Sequence, residues 1–186
     1  MNSILKQNPS LLLENPELAD AFQNMMSFER FPKHTILHEA GKICNDMYII
    51  ISGIARVFHY KEDKDITCHF SAEQETITTI DSFIQRKKSK YNIEALEDLE
   101  VLRISHSDLE NLFESNPKYE RLGRLFLQQI YMDLVERIDD LQLKTAQERY
   151  ETLLAKKPYL FQRVPSKHIA SFLSITPETL SRIRGK

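Results

Sequence analysis

The chain has 186 residues, 41% of them hydrophobic and 28% charged, with a net charge of −2 and four glycines. That balance supports a packed core in one domain or two small ones, and no apolar run approaches the roughly 20 residues that would cross a bilayer. Four glycines leave little for a Gly-rich phosphate cradle, and neither a nucleophile elbow nor an HExxH metal motif occurs, so no enzyme, metal site or cofactor is expected.

The opening stretch, "MNSILKQNPSLLLENPELAD", lacks a basic start followed by a long apolar run. It does not read as a secretion signal, and a cytoplasmic protein without membrane attachment is expected. Cys44 and Cys68 are too few for a disulfide framework and read as free thiols, with a redox pair as the other reading. Charge is uneven. Residues 161–186 carry Arg163, Lys167, Arg182, Arg184 and Lys186 against Glu178 alone, a net +4, which leaves −6 for the remainder. A basic end on an acidic body suits an anion-binding module, or a solvated tail.

From Pro9 to Phe28 the apolar spacing (Leu12, Leu13, Leu18, Phe22, Met25) predicts a helix, ended at Phe31-Pro32. Residues 33–104 change character. Short runs rich in β-branched and aromatic residues ("TILHEAG", "MYIIISG", "IARVFHY", "ITCHF", "YNIEAL", "VLRI") alternate with turns, which predicts an antiparallel sandwich or barrel. Gly41 and Gly53 stand where tight turns need positive φ. Ser107 to Glu110 reads as a capping box opening a helix that stops near Asn116-Pro117.

A long helix follows, about 118–143. Leu127, Ile130, Leu134, Ile138 and Leu141 recur at spacings of three and four, with Leu125, Met132 and Val135 on another side. Two apolar stripes point to two covered surfaces. The second cover is the same helix of another subunit, or another domain of this chain. Residues 146–156 form a further helix stopped by Pro158.

The last segment is "FQRVPSKHIASFLSITPETLSRIRGK". Ser166 can cap one helix, and Thr176 can cap a second with Pro177 at its first position and Glu178 in its first turn. Ala170, Ile175, Leu180 and Ile183 can form the core between them. Two short helices joined by a tight turn make a helix-turn-helix whose second helix exposes Glu178, Thr179, Ser181, Arg182 and Lys186 to a major groove.

With these features in place, the chain over roughly residues 10–186 resembles the CRP/FNR family of bacterial transcription regulators. The resemblance rests on Gly41 followed by "MYIIISGIARVF", on "IEALEDLEVLRIS" leading into a capped helix, and on "IASFLSITPETLSRI". It implies an α+β chain: an N-terminal helix and an antiparallel β-roll (a double-stranded β-helix of cyclic-nucleotide-binding type) over 1–116, a dimerisation helix over 117–143, and a helix-turn-helix DNA-binding domain over 144–186. The family's reading helix has Arg-Glu-Thr and a further Arg; Glu178, Thr179 and Arg182 match, and Pro177 replaces the first Arg. The β-hairpin wing implied after that helix has no residues in this sequence.

The ligand cassette departs from the family pattern. Members that bind cyclic AMP or cyclic GMP have Gly-Glu, a short helix and Arg-Ser; here no Gly precedes Glu75, and Ser89-Lys90 stands in place of Arg-Ser. Lys cannot supply the bidentate fork of Arg, so tight cyclic-nucleotide binding is not expected. Glu75, Thr78, Thr79, Lys88, Lys90 and Tyr91 are the candidate effector residues, for an unidentified small anion; a solvated basic turn is the other reading. An iron–sulfur cluster would need four cysteines. His34, His38, His59 and His69 take ordinary strand positions.

The expected function is a homodimeric, sequence-specific regulator of double-stranded DNA with a near-palindromic site. Arg182 and Arg184 would give base or phosphate contacts, Glu178 a cytosine contact, and Thr176 and Ser166 phosphate contacts. The resemblance also makes RNA polymerase a candidate partner. The alternative is a sensor or interaction protein that acts through the β-roll and dimer helix, with a vestigial reading head.

Overall fold

A computed structural model describes residues 25–185. Eight strands form two four-stranded sheets. β1 (Ser27–Phe31), β8 (Leu99–Ser105), β3 (Asp46–Ser52) and β6 (Thr76–Ile77) make one, in that order; β2 (Ile36–His38), β7 (Asn92–Ala95), β4 (Ala55–Lys61) and β5 (Lys64–Ser71) make the other. Alternation drives the packing. Ala55, Val57, Ile93 and Ala95 from one sheet meet Tyr48, Ile50, Ile77, Leu99 and Val101 from the other in a single buried cluster. This is the expected antiparallel β-roll.

Gly41 and Gly53 have φ of +87° and +98°. At Gly53 a Cβ would lie 2.5 Å from the Asp98 carbonyl oxygen, so only glycine fits.

β1 corrects the expectation of a helix as far as Phe28. The earlier part of that helix, from Pro9, lies outside the described residues. Ser27 and Phe28 instead pair with Arg103 and Leu102 of β8, and Arg30 faces Glu100 across the ladder with a 3.0 Å ion pair. Cross-strand pairing with a partner 70 residues away overrides local spacing.

After β6 a short helix, α1 (Ile80–Gln85), precedes β7, and after β8 comes α2 (His106–Ser115). The capping signal of α2 sits two residues earlier than Ser107. Ser105 is the N-cap, its hydroxyl accepting from the Asp108 amide and donating to the Asp108 carboxylate. The long helix α3 runs Pro117–Leu143.

The described chain divides into two compact units. One holds the β-roll and the chain as far as Ile130; the other holds the hairpin tip Phe58–His69 and the chain from Tyr131 onward. In the second unit, α4 (Ala146–Lys156), α5 (Leu160–Arg163), α6 (Ser166–Phe172) and α7 (Pro177–Arg184) follow the end of α3. Leu153, Leu160, Val164, Ile169, Ala170, Leu173, Leu180 and Ile183 are buried there. α5 has no counterpart in the expected elements; four residues are too few for a periodic signal.

Candidate nucleic-acid interface and sensor segment

α6 and α7 are built as a helical hairpin. α6 turns Ile169, Ala170 and Leu173 inward, and α7 turns Leu180 and Ile183 inward. The Ile175 amide donates to the Ala170 carbonyl at 3.0 Å, and Ser174, the residue before it, takes φ +55°. That left-handed position does the work a glycine would do at a helix end.

Thr176 caps α7, its hydroxyl accepting from the Thr179 amide at 3.2 Å, and Pro177 occupies the first turn. The Glu178 carboxyl is held below the usual carboxylate range by its own backbone amide and by the Thr176 hydroxyl. It is the negative group that a helix start favours.

Glu178, Ser181 and Arg182 are exposed at the i, i+3 and i+4 positions of α7 and so share one outward face. Thr179 is half-buried beside the cap. Arg184 stands apart. Its guanidinium donates to the Ser166 hydroxyl at 3.0 Å and lies over the Phe161 ring at 5.3 Å. Ser166 is therefore the first residue of α6, not its cap; Pro165 holds the cap position, which gives no side-chain oxygen. Lys186 lies outside the described residues.

The end of α6 is gripped. Arg137 of α3 donates to the Phe172 carbonyl and stacks over the Phe172 ring at 4.1 Å. Arg149 of α4 donates to the Leu173 carbonyl at 3.0 Å and to the Lys144 carbonyl at 2.7 Å. Two arginines thus satisfy carbonyls that a helix end leaves open. Burial pushes the Arg137 guanidinium below its ordinary value. Between α3 and α4, Lys144 ion-pairs with Asp140 at 2.6 Å and donates to Thr152 at 3.0 Å, while Thr145 and Glu148 form a reciprocal capping box. In the same unit the Ser171 hydroxyl of α6 accepts from the Thr67 amide at 3.0 Å. None of Ser171, Arg137 and Arg149 carries a sequence signal for its bond to Thr67, Phe172 or Leu173, because the partners are distant in the chain.

On α3 itself, Leu127, Leu134, Ile138 and Leu141 are 46%, 53%, 51% and 42% exposed, and Tyr131 is 65% exposed. These five residues follow alternating steps of four and three, which is one unbroken heptad seam with Leu at each d position. Ile130 is half-buried and lies outside that seam; Tyr131 takes the place beside it. The heptad spacing was legible in the sequence and would have found Tyr131.

In the candidate effector segment, most polar groups serve the backbone. The Glu75 carboxylate accepts from the Ala72 amide at 3.0 Å, and the Thr78 hydroxyl donates to the Asp46 carbonyl at 2.9 Å. Arg86, with φ +55°, donates to the Cys44 carbonyl at 2.7 Å and to Asn45 at 2.5 Å. The Ser89 hydroxyl accepts from the Tyr91 amide at 2.9 Å. Tyr91 packs against the apolar cluster of the roll. Lys88 and Lys90 are exposed, the Lys90 ammonium lying 5.1 Å from the Tyr91 ring centre. Thr79 starts α1 with its hydroxyl buried and unpartnered among the described residues.

Of the histidines, His34 pairs with Glu94, which also holds the buried Arg56 at 2.7 Å. His38 is buried, and burial lowers its pKa. Cys44 and Cys68 are free thiols. Among the described residues no cluster of His, Cys, Asp or Glu could hold a metal ion, and no helix is long and apolar enough to cross a membrane.

Residues 28–116 match the family model of the cyclic nucleotide-binding domain. The anaerobic regulatory protein of Bacillus subtilis is 25% identical over 99 residues, which are 53% of this chain and 42% of that protein. The match therefore spans less than half of that relative. Among solved structures, FixK2 from Bradyrhizobium japonicum superposes with a TM-score of 0.73 at 17% identity, covering 86% of this chain and 83% of that one. The global regulator CLP from Xanthomonas campestris, described as c-di-GMP responsive, gives 0.71 at 18% identity, covering 92% and 90%. Residues 28–116 thus carry a cyclic nucleotide-binding-type domain by sequence match, and the chain shares its fold with FixK2 and CLP.

Proposed function

We propose that the chain is a homodimeric, sequence-specific DNA-binding transcription regulator that does not respond to cyclic AMP. The observation that carries this reading is the outward face of α7. Glu178, Ser181 and Arg182 stand together on a capped helix whose other face is buried against α6. An arginine on such a face can fork onto guanine and a glutamate can accept from cytosine. The exposed seam of α3 supports a parallel two-stranded pairing, which would present two such faces to a near-palindromic site.

The sensor segment supports the second half of the proposal. A cyclic phosphate needs a buried, unengaged arginine, whereas Arg86 is spent on the Cys44 carbonyl and Asn45, and Ser89 on the Tyr91 amide. Lys88 and Lys90 leave a basic surface that could meet a different small anion.

The test is selection of bound fragments from genomic DNA by the purified protein, without added ligand, at near-physiological salt. Enrichment of one inverted repeat is the expected result. A folded dimer that enriches nothing would favour a sensor with a vestigial head. Leu134→Glu, which puts a charge in the middle of the seam, should convert the dimer to monomer in sedimentation and abolish the enrichment.

A further inference from the structure

β2 is an edge strand of its sheet, three residues long, and its pairing with β7 slips between Ile36 and His38. A short edge strand with a broken register is the part of a sheet that opens at least cost. The chain that follows it is tied down over the candidate effector segment. The Ala40 amide donates to the Asn92 side chain at 2.9 Å, and the Gly41 amide to the Ser89 carbonyl at 2.7 Å. The Ser89 amide returns a bond to the Lys42 carbonyl at 2.8 Å, and Ile43 bridges to Lys88. The Cys44 amide donates to the Ser82 hydroxyl at 2.9 Å. Residues 40–44 thus lie as a strap across residues 82–92.

His38 stands at the root of that strap. It is 9% exposed, and its Nε2 is buried with no hydrogen-bond partner among the described residues. A neutral imidazole can carry its proton on Nδ1 and leave Nε2 bare. An imidazolium must put a donor there, buried and without an acceptor. Four charged groups act on the ring: Lys42 of the strap, Glu39 beside it, Asp46 of β3 and Asp81 of α1. Glu39 is already paired with Lys42 at 2.7 Å and Asp46 with Arg103 at 2.8 Å, so two of the three carboxylates are neutralised. Burial first, and then Lys42, hold the His38 pKa below its ordinary value of 6.5.

We infer that residues 38–44 are a proton-operated strap: protonation of His38 drives β2 from its sheet edge, breaks the bonds of Ala40, Gly41 and Lys42, and releases residues 88–92. The strap does not depend on what α7 binds. Its use in regulation rests on reading residues 88–92 as part of an effector segment.

A histidine held neutral contributes stability that is fully present above pH 6.5 and is lost as the pH falls from there through the lowered value. Amide exchange and ring titration by NMR, on the full-length chain without DNA or effector, read this directly. The His38 ring should titrate below 6.5. Protection of the Gly41 and Ser89 amides should fall by up to about tenfold per pH unit below 6.5, the slope that one linked proton gives. The Ile50 amide, bonded to the Glu75 carbonyl elsewhere in the roll, should keep its protection over the same range. His38→Leu should make Gly41 and Ser89 protection independent of pH. Lys42→Met, which removes a neighbouring cation and frees Glu39, should move the onset to higher pH. A ring that titrates at or above 6.5 would overturn the inference, as would Gly41 and Ser89 protection that ignores the titration of His38. So would equal loss at Ile50, which is global acid unfolding. None of these readouts involves a ligand, so loss of the effector or DNA-binding reading leaves them intact.

Discussion

Arg184 and Ser166 are joined by a 3.0 Å hydrogen bond that ties the last turn of α7 to the first turn of α6. The two arginines near the end of α7 therefore have different duties. Arg182 is exposed and has no side-chain partner among the described residues, while Arg184 closes the helical hairpin over Phe161.

That difference predicts a split. Arg182→Ala should cost about 1–3 kcal/mol of specific DNA affinity and leave the unfolding midpoint unchanged. Arg184→Ala should lower the stability of the second unit by about 1 kcal/mol, from the lost hydrogen bond and ring contact. Paired binding and thermal-unfolding measurements on the two variants separate the roles. Equal loss of stability in both would refute the assignment.

Ser174 and Gly53 offer opposite glycine experiments. Ser174→Gly relieves a left-handed non-glycine residue and should stabilise by roughly 0.5–1 kcal/mol, raising the midpoint by a few degrees. Gly53→Ala should destabilise by more than about 2 kcal/mol, because its Cβ would meet the Asp98 carbonyl oxygen at 2.5 Å on a backbone with φ +98°. Calorimetric unfolding of the two variants checks both signs.

Acid should loosen the helix starts of the second unit. The backbone amide and hydroxyl of Thr145 hold the Glu148 carboxyl below its ordinary value of 4.5, and the Glu178 carboxyl is lowered likewise. A depressed carboxyl contributes stability that is fully present above its ordinary pKa and is lost as pH falls through the lowered one. Stability should then be insensitive to these two groups from neutrality down to about pH 5 and fall below that. Glu148→Gln with Glu178→Gln should flatten the acid limb of a midpoint-against-pH curve; an unaltered limb would contradict the capping account.

Cyclic AMP should leave the unfolding midpoint where it is. A ligand present at 1,000 times its Kd adds about 4 kcal/mol of stability, so micromolar binding would be plain at millimolar nucleotide. A shift of that size would show that some group replaces the missing arginine of the cassette.

Much of this protein could be read from the chain, because it depends on neighbours in sequence. The strand runs from "MYIIISG" to "VLRI", the positive φ at Gly41 and Gly53, the Thr176 cap with Pro177, and the extent of α3 all follow from periodicity and local hydrogen bonding within a few residues. Capping was less exact where two candidate oxygens stood close together. Ser105 rather than Ser107 caps α2, since β8 runs directly into that helix.

Tertiary structure decided what distant partners decide. Ser27 to Phe31 became a strand because β8 offered a complementary ladder, and their own composition did not ask for one. The same holds in the candidate sites. Nothing local marks Arg86 as bound to Cys44 and Asn45, Arg184 as tied to Ser166, or Ser171 as the partner of Thr67. A side chain's chemistry is written in its residue type, but whether that chemistry is free for a ligand depends on which backbone group the fold brings within about 3 Å of it.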